Sequence, residues 1–284
     1  MSPRTVSVVN MKGGVGKSTT VACLAEALAS EGLRVLVVDL DPQSNVSMML
    51  AGQDRWIAQR QSGRTIDDYF NQYVYGGEPR FFRDFIAQRV SDLKGDPPLD
   101  LVISTPEFRY IERHALEKWV SQGFDIRQLA TRFSRLTHAA IENVASGYDL
   151  VLFDCPPGIS MFAEAAIELS EFIVIPTIPD YVSRLGIFAF RKRALRSMEQ
   201  RRFTEDRIWT LITKFESANS LHMSEAELLK EQFNLFQTRI PQAEEIARAA
   251  EWSEVRRSLD HKYGPTTTTI RTLAAEFRER AGLI

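Results

Sequence analysis

The chain reads as an α/β protein, a doubly wound, mostly parallel sheet with helices on both faces. Three observations predict this. Apolar runs at Val6–Val9, Arg34–Asp39, Leu99–Ser104, Asp149–Asp154, Phe172–Pro176 and Ile208–Thr213 alternate with stretches of helical period. Such runs are continuous, as expected of strands covered on both faces. The first run opens into a glycine loop, Asn10 to Thr20, that leads directly into a helix. Two further runs end in acids, Asp39-Leu40-Asp41-Pro42-Gln43 and Asp154-Cys155-Pro156-Pro157-Gly158. Open α/β sheets hold their ligands at that edge.

In chain order, residues 17–30 form the first helix, closed by Gly32. Thr65, followed by Ile66, Tyr69, Phe70, Tyr73 and Val74, predicts a capped amphipathic helix. Phe81, Phe82, Phe85, Ile86, Val90 and Leu93 suggest another, with Gly76-Gly77 between the two and Pro97-Pro98 closing the region. An aromatic stripe at this spacing is ordinarily core, the sharper alternative being a partner-docking face. Thr105-Pro106-Glu107 starts a helix to about Val120, and another runs from Asp125 to about Ala145. A helix is expected from about Ser183 to Glu199, and one capped by Ser224 that ends near Phe233. Phe236–Ile240 suggests a last short strand, and residues 243–258 and 266–281 are expected to be helical.

With 35 basic and 37 acidic residues among 284, the net charge is −2. Any nucleic-acid contact must therefore come from a local patch. Two cysteines, Cys23 and Cys155, give neither a disulfide framework nor a zinc set. No apolar leader or membrane-spanning stretch is seen, and a cytoplasmic protein is expected.

Asn10–Thr20 carries the chemistry. Strand, glycine loop and helix are the context of a phosphate-binding loop, in which glycines let backbone N–H groups turn inward and the helix adds its positive end. Lys17 would reach the β- and γ-phosphates, and Ser18 would place its hydroxyl on Mg²⁺. The pattern G-x-x-x-x-G-K-[ST] fails at its first glycine, where Met11 stands, and a second lysine, Lys12, precedes Gly13-Gly14. An apolar strand ending in Asp154 fits the acid that holds Mg²⁺ in such sites.

The K-G-G-x-G-K-S/T arrangement resembles the deviant Walker A motif of the ParA/MinD (Soj-like) ATPases, and the chain looks closest to ParA-type partition members. The resemblance implies one P-loop ATPase domain over residues 1–284, with a helical insertion at about 52–98 that the shorter members lack. It implies a slow, Mg²⁺-dependent, partner-stimulated ATPase with Lys12, Lys17 and Asp41 in catalysis. Asp41 would position the attacking water, and Lys12 would touch the phosphates of a second subunit across an ATP-sandwich homodimer. Gly13, Gly14, Val15, Gly16, Lys17, Ser18 and Thr19 would hold ATP, and Ser18, Asp39 and Asp154 the Mg²⁺ with its water shell. Residues 154–158 match the segment that reports the γ-phosphate. Phe236–Pro241 looks like the family's adenine segment, which makes Lys214 and Pro241 base contacts. Gln242 stands where the family commonly has Arg, and Ala247–Glu251 replaces its usual following stretch.

Residues 184–207 hold eight bases (among them Arg184, Arg191, Lys192 and Arg196) against three acids, and Arg248, Arg256, Arg257 and Lys262 form a second basic region. By the resemblance, Arg191, Lys192, Arg196 and Arg248 would bind DNA non-specifically, and a ParB-like or cargo-adaptor protein would trigger hydrolysis and release. The cargo would be a plasmid, a chromosome or a protein assembly, and the DNA-bound form would be nucleoid-associated. Two alternatives stand beside this reading. A MinD-like membrane-cycling regulator would use the amphipathic tail from Ile270 to Arg280, but Glu276 and Glu279 offset its arginines, and no membrane partner is expected. A small-molecule-directed P-loop enzyme would be indifferent to DNA.

Overall fold

The computed structural model describes residues 2–76, 80–158, 160–198 and 205–283, with side chains throughout except at 192–198. Its strands are β1 (Arg4–Val8), β2 (Val35–Asp39), β3 (Ile86–Ala87), β4 (Leu99–Val102), β5 (Leu150–Asp154), β6 (Phe172–Thr177) and β7 (Ile208–Ile212). They form one sheet in the order β3-β4-β2-β5-β1-β6-β7. All neighbours run parallel except β3, which pairs antiparallel with β4 at the edge. The register sets Asp154 opposite both Asp39 and Val8, so the carboxyl ends of β2, β5 and β1 lie level.

Helices cover both faces. One face carries α3 (Ile66–Tyr75), α4 (Ile111–Ser121), α5 (Ile126–Val144), α6 (Met161–Leu169), α7 (Tyr181–Met198) and α8 (Ser220–Gln232). The other carries α1 (Lys17–Ser30), α2 (Asn45–Gln61), α9 (Glu244–Ala249), α10 (Leu259–Tyr263) and α11 (Thr267–Ala281). Capping is local and legible. Thr65 and Asp68 form a capping box on α3, and Asp125 and Gln128 form one on α5. The aromatic stripe is core: Tyr69, Phe70, Phe82 and Phe85 are buried, with the Phe70 ring tilted or edge-on against Phe108, Phe133 and Phe162.

Several expectations are corrected. Residues 81–93 are not a helix. Phe82–Phe85 is a single 3-10 turn, followed by β3 and irregular chain. Phe85 faces one core, while Ala87, Val90 and Leu93 face the other. The apolar spacing there belongs to a segment that wraps round the sheet edge. The helix expected from Ser224 begins at Ser220, because the Asn219 side chain accepts the N–H groups of Leu221 and His222. Phe236–Ile240 lies along β7 without becoming a strand. Phe236 and Ile240 donate to Thr210 and Ile212, but the N–H groups of Gln237 and Thr238 turn to the Glu276 carboxylate at 2.8 and 2.9 Å. Residues 243–258 are helical only in α9. Three helices lie outside the expected segments. In α2, Gly52 at φ 73 breaks the period, α6 is capped by Ser160, and the short α10 by Ser258.

The apolar face of α11 (Ile270, Leu273, Ala274, Phe277 and Ala281) is buried in the core that also holds α1. It is therefore not a free membrane face. Among the described residues no helix is long and apolar enough to cross a membrane.

Candidate functional site

Where β1 ends, the chain turns over the carboxyl edge of the sheet. Asn10 fixes the turn by donating to the Pro176 carbonyl at 2.7 Å and accepting from the Lys12 N–H at 2.9 Å. Gly14 and Gly16 take φ 74 and 84, values that a side chain would strain. Thr213, just beyond β7, donates its hydroxyl to the Val15 carbonyl at 2.7 Å and holds the loop from the far side. Among the described residues, no backbone N–H from Gly13 to Thr19 donates to another backbone carbonyl. These donors stand at the start of α1 as an anion-binding nest.

Beneath them lie two acids. Asp39 and Asp154 are fully buried neighbours on β2 and β5. Asp39 is satisfied within the protein: one oxygen accepts from the Asp41 N–H at 2.9 Å, the other from the Ser47 N–H and hydroxyl at 3.1 and 2.6 Å. Both carboxylate oxygens of Asp154 lack a hydrogen-bond partner. Burial pushes Asp154 up to about 7, against the opposing influence of the Ser18 hydroxyl and Lys17. Asp39 is raised by burial and by the charge of Asp154. A buried carboxylate without donors is costly, and a divalent cation held with the Ser18 hydroxyl would relieve that cost. The residues therefore fit Mg²⁺ chemistry.

Lys17 is buried and folds back onto the Lys12 carbonyl at 3.1 Å. Burial lowers its pKa, opposed by Asp154 and Asp41. Asp41 accepts from the Gln43 N–H at 2.9 Å, and burial raises it above the usual carboxylate range. Lys12 points elsewhere. Its ammonium lies 3.0 Å from the Ser183 hydroxyl and 3.4 Å from Asp180, at the start of α7.

A cavity of about 460 Å³ opens over this floor, lined by Gly13, Gly14, Gly16, Lys17, Ser18, Thr19 and Asp41. Lys214 joins them, at φ 51, as do Pro157 and Ala250. Gln43 and, from the start of α2, Asn45, Met48 and Met49 complete the wall. Val15 and Pro241 are not among the lining residues. Pro241 instead bridges Phe215 beside the wall. Thr213, Ser47 and Asp180 were missed by sequence reasoning because lone hydroxyls and loop acids carry no spacing signal.

The basic regions are mostly spoken for. Arg191 is packed over Phe233 with its side chain 12% exposed and pairs with Glu205, so it is not a free cation for DNA. Arg184 is tied to Glu225 at 2.8 Å. Lys192 and Arg196 lie outside the described side chains. Arg248 is exposed and paired with Glu244 on α9. In the second basic region Lys262 is buried and Arg257 nearly so, both bound to Asp92. They belong to an internal network.

A parallel sheet whose first strand opens into a glycine nest over a buried acid defines a P-loop nucleoside-triphosphate-binding protein. The chain belongs to the AAA domain family, whose model matches residues 3–208. It is similar to the sporulation initiation inhibitor protein Soj of Bacillus subtilis, 26% identical over 249 residues that cover 86% of each chain. It is also similar to a Rhizobium rhizogenes protein bearing the name replication protein A, 29% identical over 75% of this chain. The match spans about half of that relative, 51% of its length, and 42% of a Sinorhizobium fredii protein of the same name. A Borrelia burgdorferi structure named as a plasmid partition protein, with AMPPNP bound, superposes at TM-score 0.71 with 20% identity, covering 98% and 99% of the two chains. An ATP complex of a Cyanothece McdA variant gives 0.74 with 17% identity over 100% and 98%.

Proposed function

We propose that the chain is a Mg²⁺-dependent ATPase of the partition type, whose ATP-bound homodimer holds DNA non-specifically and lets go after hydrolysis. The observation that carries the reading is the unpartnered Asp154 carboxylate beneath the open N–H groups of Gly13 to Thr19. The Soj relative and the nucleotide-bound Borrelia and Cyanothece structures support it. When bound, ATP supplies the transferable phosphoryl group and Mg²⁺ the charge that draws electrons from it.

The residues divide the remaining work. Gly13, Gly14, Val15, Gly16 and Thr19 donate backbone N–H groups to phosphate oxygens. Lys17, now resting on the Lys12 carbonyl, is within the same cavity and adds positive charge. Ser18 and Asp154 hold the metal. Asp39 positions the loop that carries Asp41, through the Asp41 N–H and Ser47. Asp41 orients the attacking water. Lys214 and Pro241 flank the base. Lys12 exchanges Asp180 and Ser183 for the phosphates of the second subunit, so that dimer formation and nucleotide state are linked. A ParB-like or cargo-adaptor partner accelerates turnover, and the DNA-bound dimer is the nucleoid-associated form of a cytoplasmic protein.

Titration calorimetry with ATP and Mg²⁺ tests the site. Lys17→Ala is expected to weaken ATP binding at least about a hundredfold, equivalent to about 3 kcal/mol. Asp41→Ala is expected to bind ATP normally, hydrolyse it at least about a hundredfold more slowly and accumulate as a dimer in light scattering. Normal ATP affinity in Lys17→Ala, or unimpaired turnover in Asp41→Ala, contradicts the assignment.

A further inference from the structure

Among the described residues, three arginines of α5 line one groove, and the acid that lines it with them serves the helix cap. A concavity of about 600 Å³ is lined by Phe124, Gln128, Thr131, Leu136 and the arginines 127, 132 and 135. Many other arginines meet acids, as in Arg34–Asp149, Arg60–Glu107 and Arg271–Asp260. Among the described residues, Arg127 and Arg135 form no side-chain ion pair and are exposed. The Arg132 guanidinium is held over the Trp119 ring at 4.4 Å and the Phe124 ring at 5.5 Å, and among the described residues it pairs with no acid. The lining acid, Asp125, is committed to the α5 cap, where it accepts the Gln128 N–H at 2.8 Å.

We infer that this groove is the DNA contact surface, through the phosphate backbone. The inference rests on the DNA-binding reading above and places a contact on α5, whereas Arg191 of α7 is tied to Glu205. Three arguments favour a nucleic-acid backbone. The guanidinium fork matches phosphate oxygens in pairs. Arg127 and Arg135 lie eight residues apart, about 12 Å along the helix axis, a row of charge suited to an extended polyanion. The row is rigid, because α5 is packed into the core through Leu129, Phe133, Thr137 and Ile141. Cations paired within the protein, such as Arg184 and Arg191, would have to give up their own acids first.

Fluorescence anisotropy with a non-specific DNA duplex in ATP and Mg²⁺, across a salt series, tests this on the full chain. The double variant Arg127→Glu, Arg135→Glu is expected to lose at least about tenfold in affinity and to lower the salt slope by about 2 per protomer. Arg127→Lys with Arg135→Lys loses less affinity than the charge reversal but falls short of the wild type, because an ammonium keeps the charge and lacks the paired donors of the guanidinium fork. Thermal melts and ATP turnover of the double variant should match the wild type, as both side chains are exposed. Unchanged DNA affinity in the double variant, with the wild type binding normally, overturns the α5 assignment alone. A wild type that hydrolyses ATP but never binds DNA overturns the DNA reading and this inference together. A groove that takes a poly-glutamate peptide in preference to the duplex also overturns it.

Discussion

Two clusters of buried acids flank α1, and they are satisfied in opposite ways. Under the glycine loop, Asp154 has no hydrogen-bond partner for either oxygen, while Asp39 beside it is held by Ser47 and the Asp41 N–H and is still raised by burial. Farther along the helix, Glu26 and Asp92 share the Lys262 ammonium at 2.7 Å each. Tyr263 and Ser91 donate to Glu26 at 2.8 and 2.7 Å, and Arg257 donates to Asp92. The second cluster ties α1 and α10 to residues 251–257, next to Ala250 in the cavity wall. Equal burial thus has two meanings. Where the charges are closed on one another the cluster holds the fold, and where they are left open the cluster awaits a ligand.

The comparison breaks first at Lys262. Lys262→Met strands two carboxylates in the core and is expected to cost about 3–5 kcal/mol. Urea unfolding measures it, and an unchanged midpoint would mean that the closed cluster holds nothing.

The opposite sign is expected at the open cluster, with a smaller magnitude. Asp154→Asn removes an uncompensated charge beside Asp39 and should raise the stability of the nucleotide-free protein by about 1 kcal/mol, about 2–4 °C in Tm. The pH dependence has a definite direction. The Asp154 pKa is raised by burial to about 7, above its unfolded value. Its protonation therefore contributes stability that is present below the ordinary carboxylate range and is lost as pH rises through about 7. Melting curves should show Asp154→Asn gaining on the wild type as pH rises toward 7 and holding its lead above it. Saturating Mg²⁺ and ATP should reverse the order, since only the wild type can then use its charge. A gap independent of pH contradicts the open-cluster account.

The sequence exposed the open cluster better than the closed one. Lys17, Ser18 and Asp154 sit at spacings that phosphate chemistry dictates, and strand ends place them together whatever the loops do. Glu26, Asp92, Arg257 and Lys262 have no such pattern. They meet only because three segments distant in sequence converge, and by composition Lys262 and Arg257 read as surface bases. The same limit applies to the fold. Strands with continuous apolar runs were legible because both faces of the sheet are covered. The 81–93 segment was not, because its apolar residues serve two cores and imitate a helical period. Gly52 hid α2, whose first turn supplies a wall of the cavity.

The central claim is an ATP-gated hold on DNA. Retention of a non-specific duplex, measured in ATP with Mg²⁺ and in ADP with Mg²⁺ across a salt series, tests it most directly. The account predicts tight, steeply salt-dependent retention in ATP alone, weakening as hydrolysis proceeds. Equal retention in both nucleotides, or none in either, would contradict it.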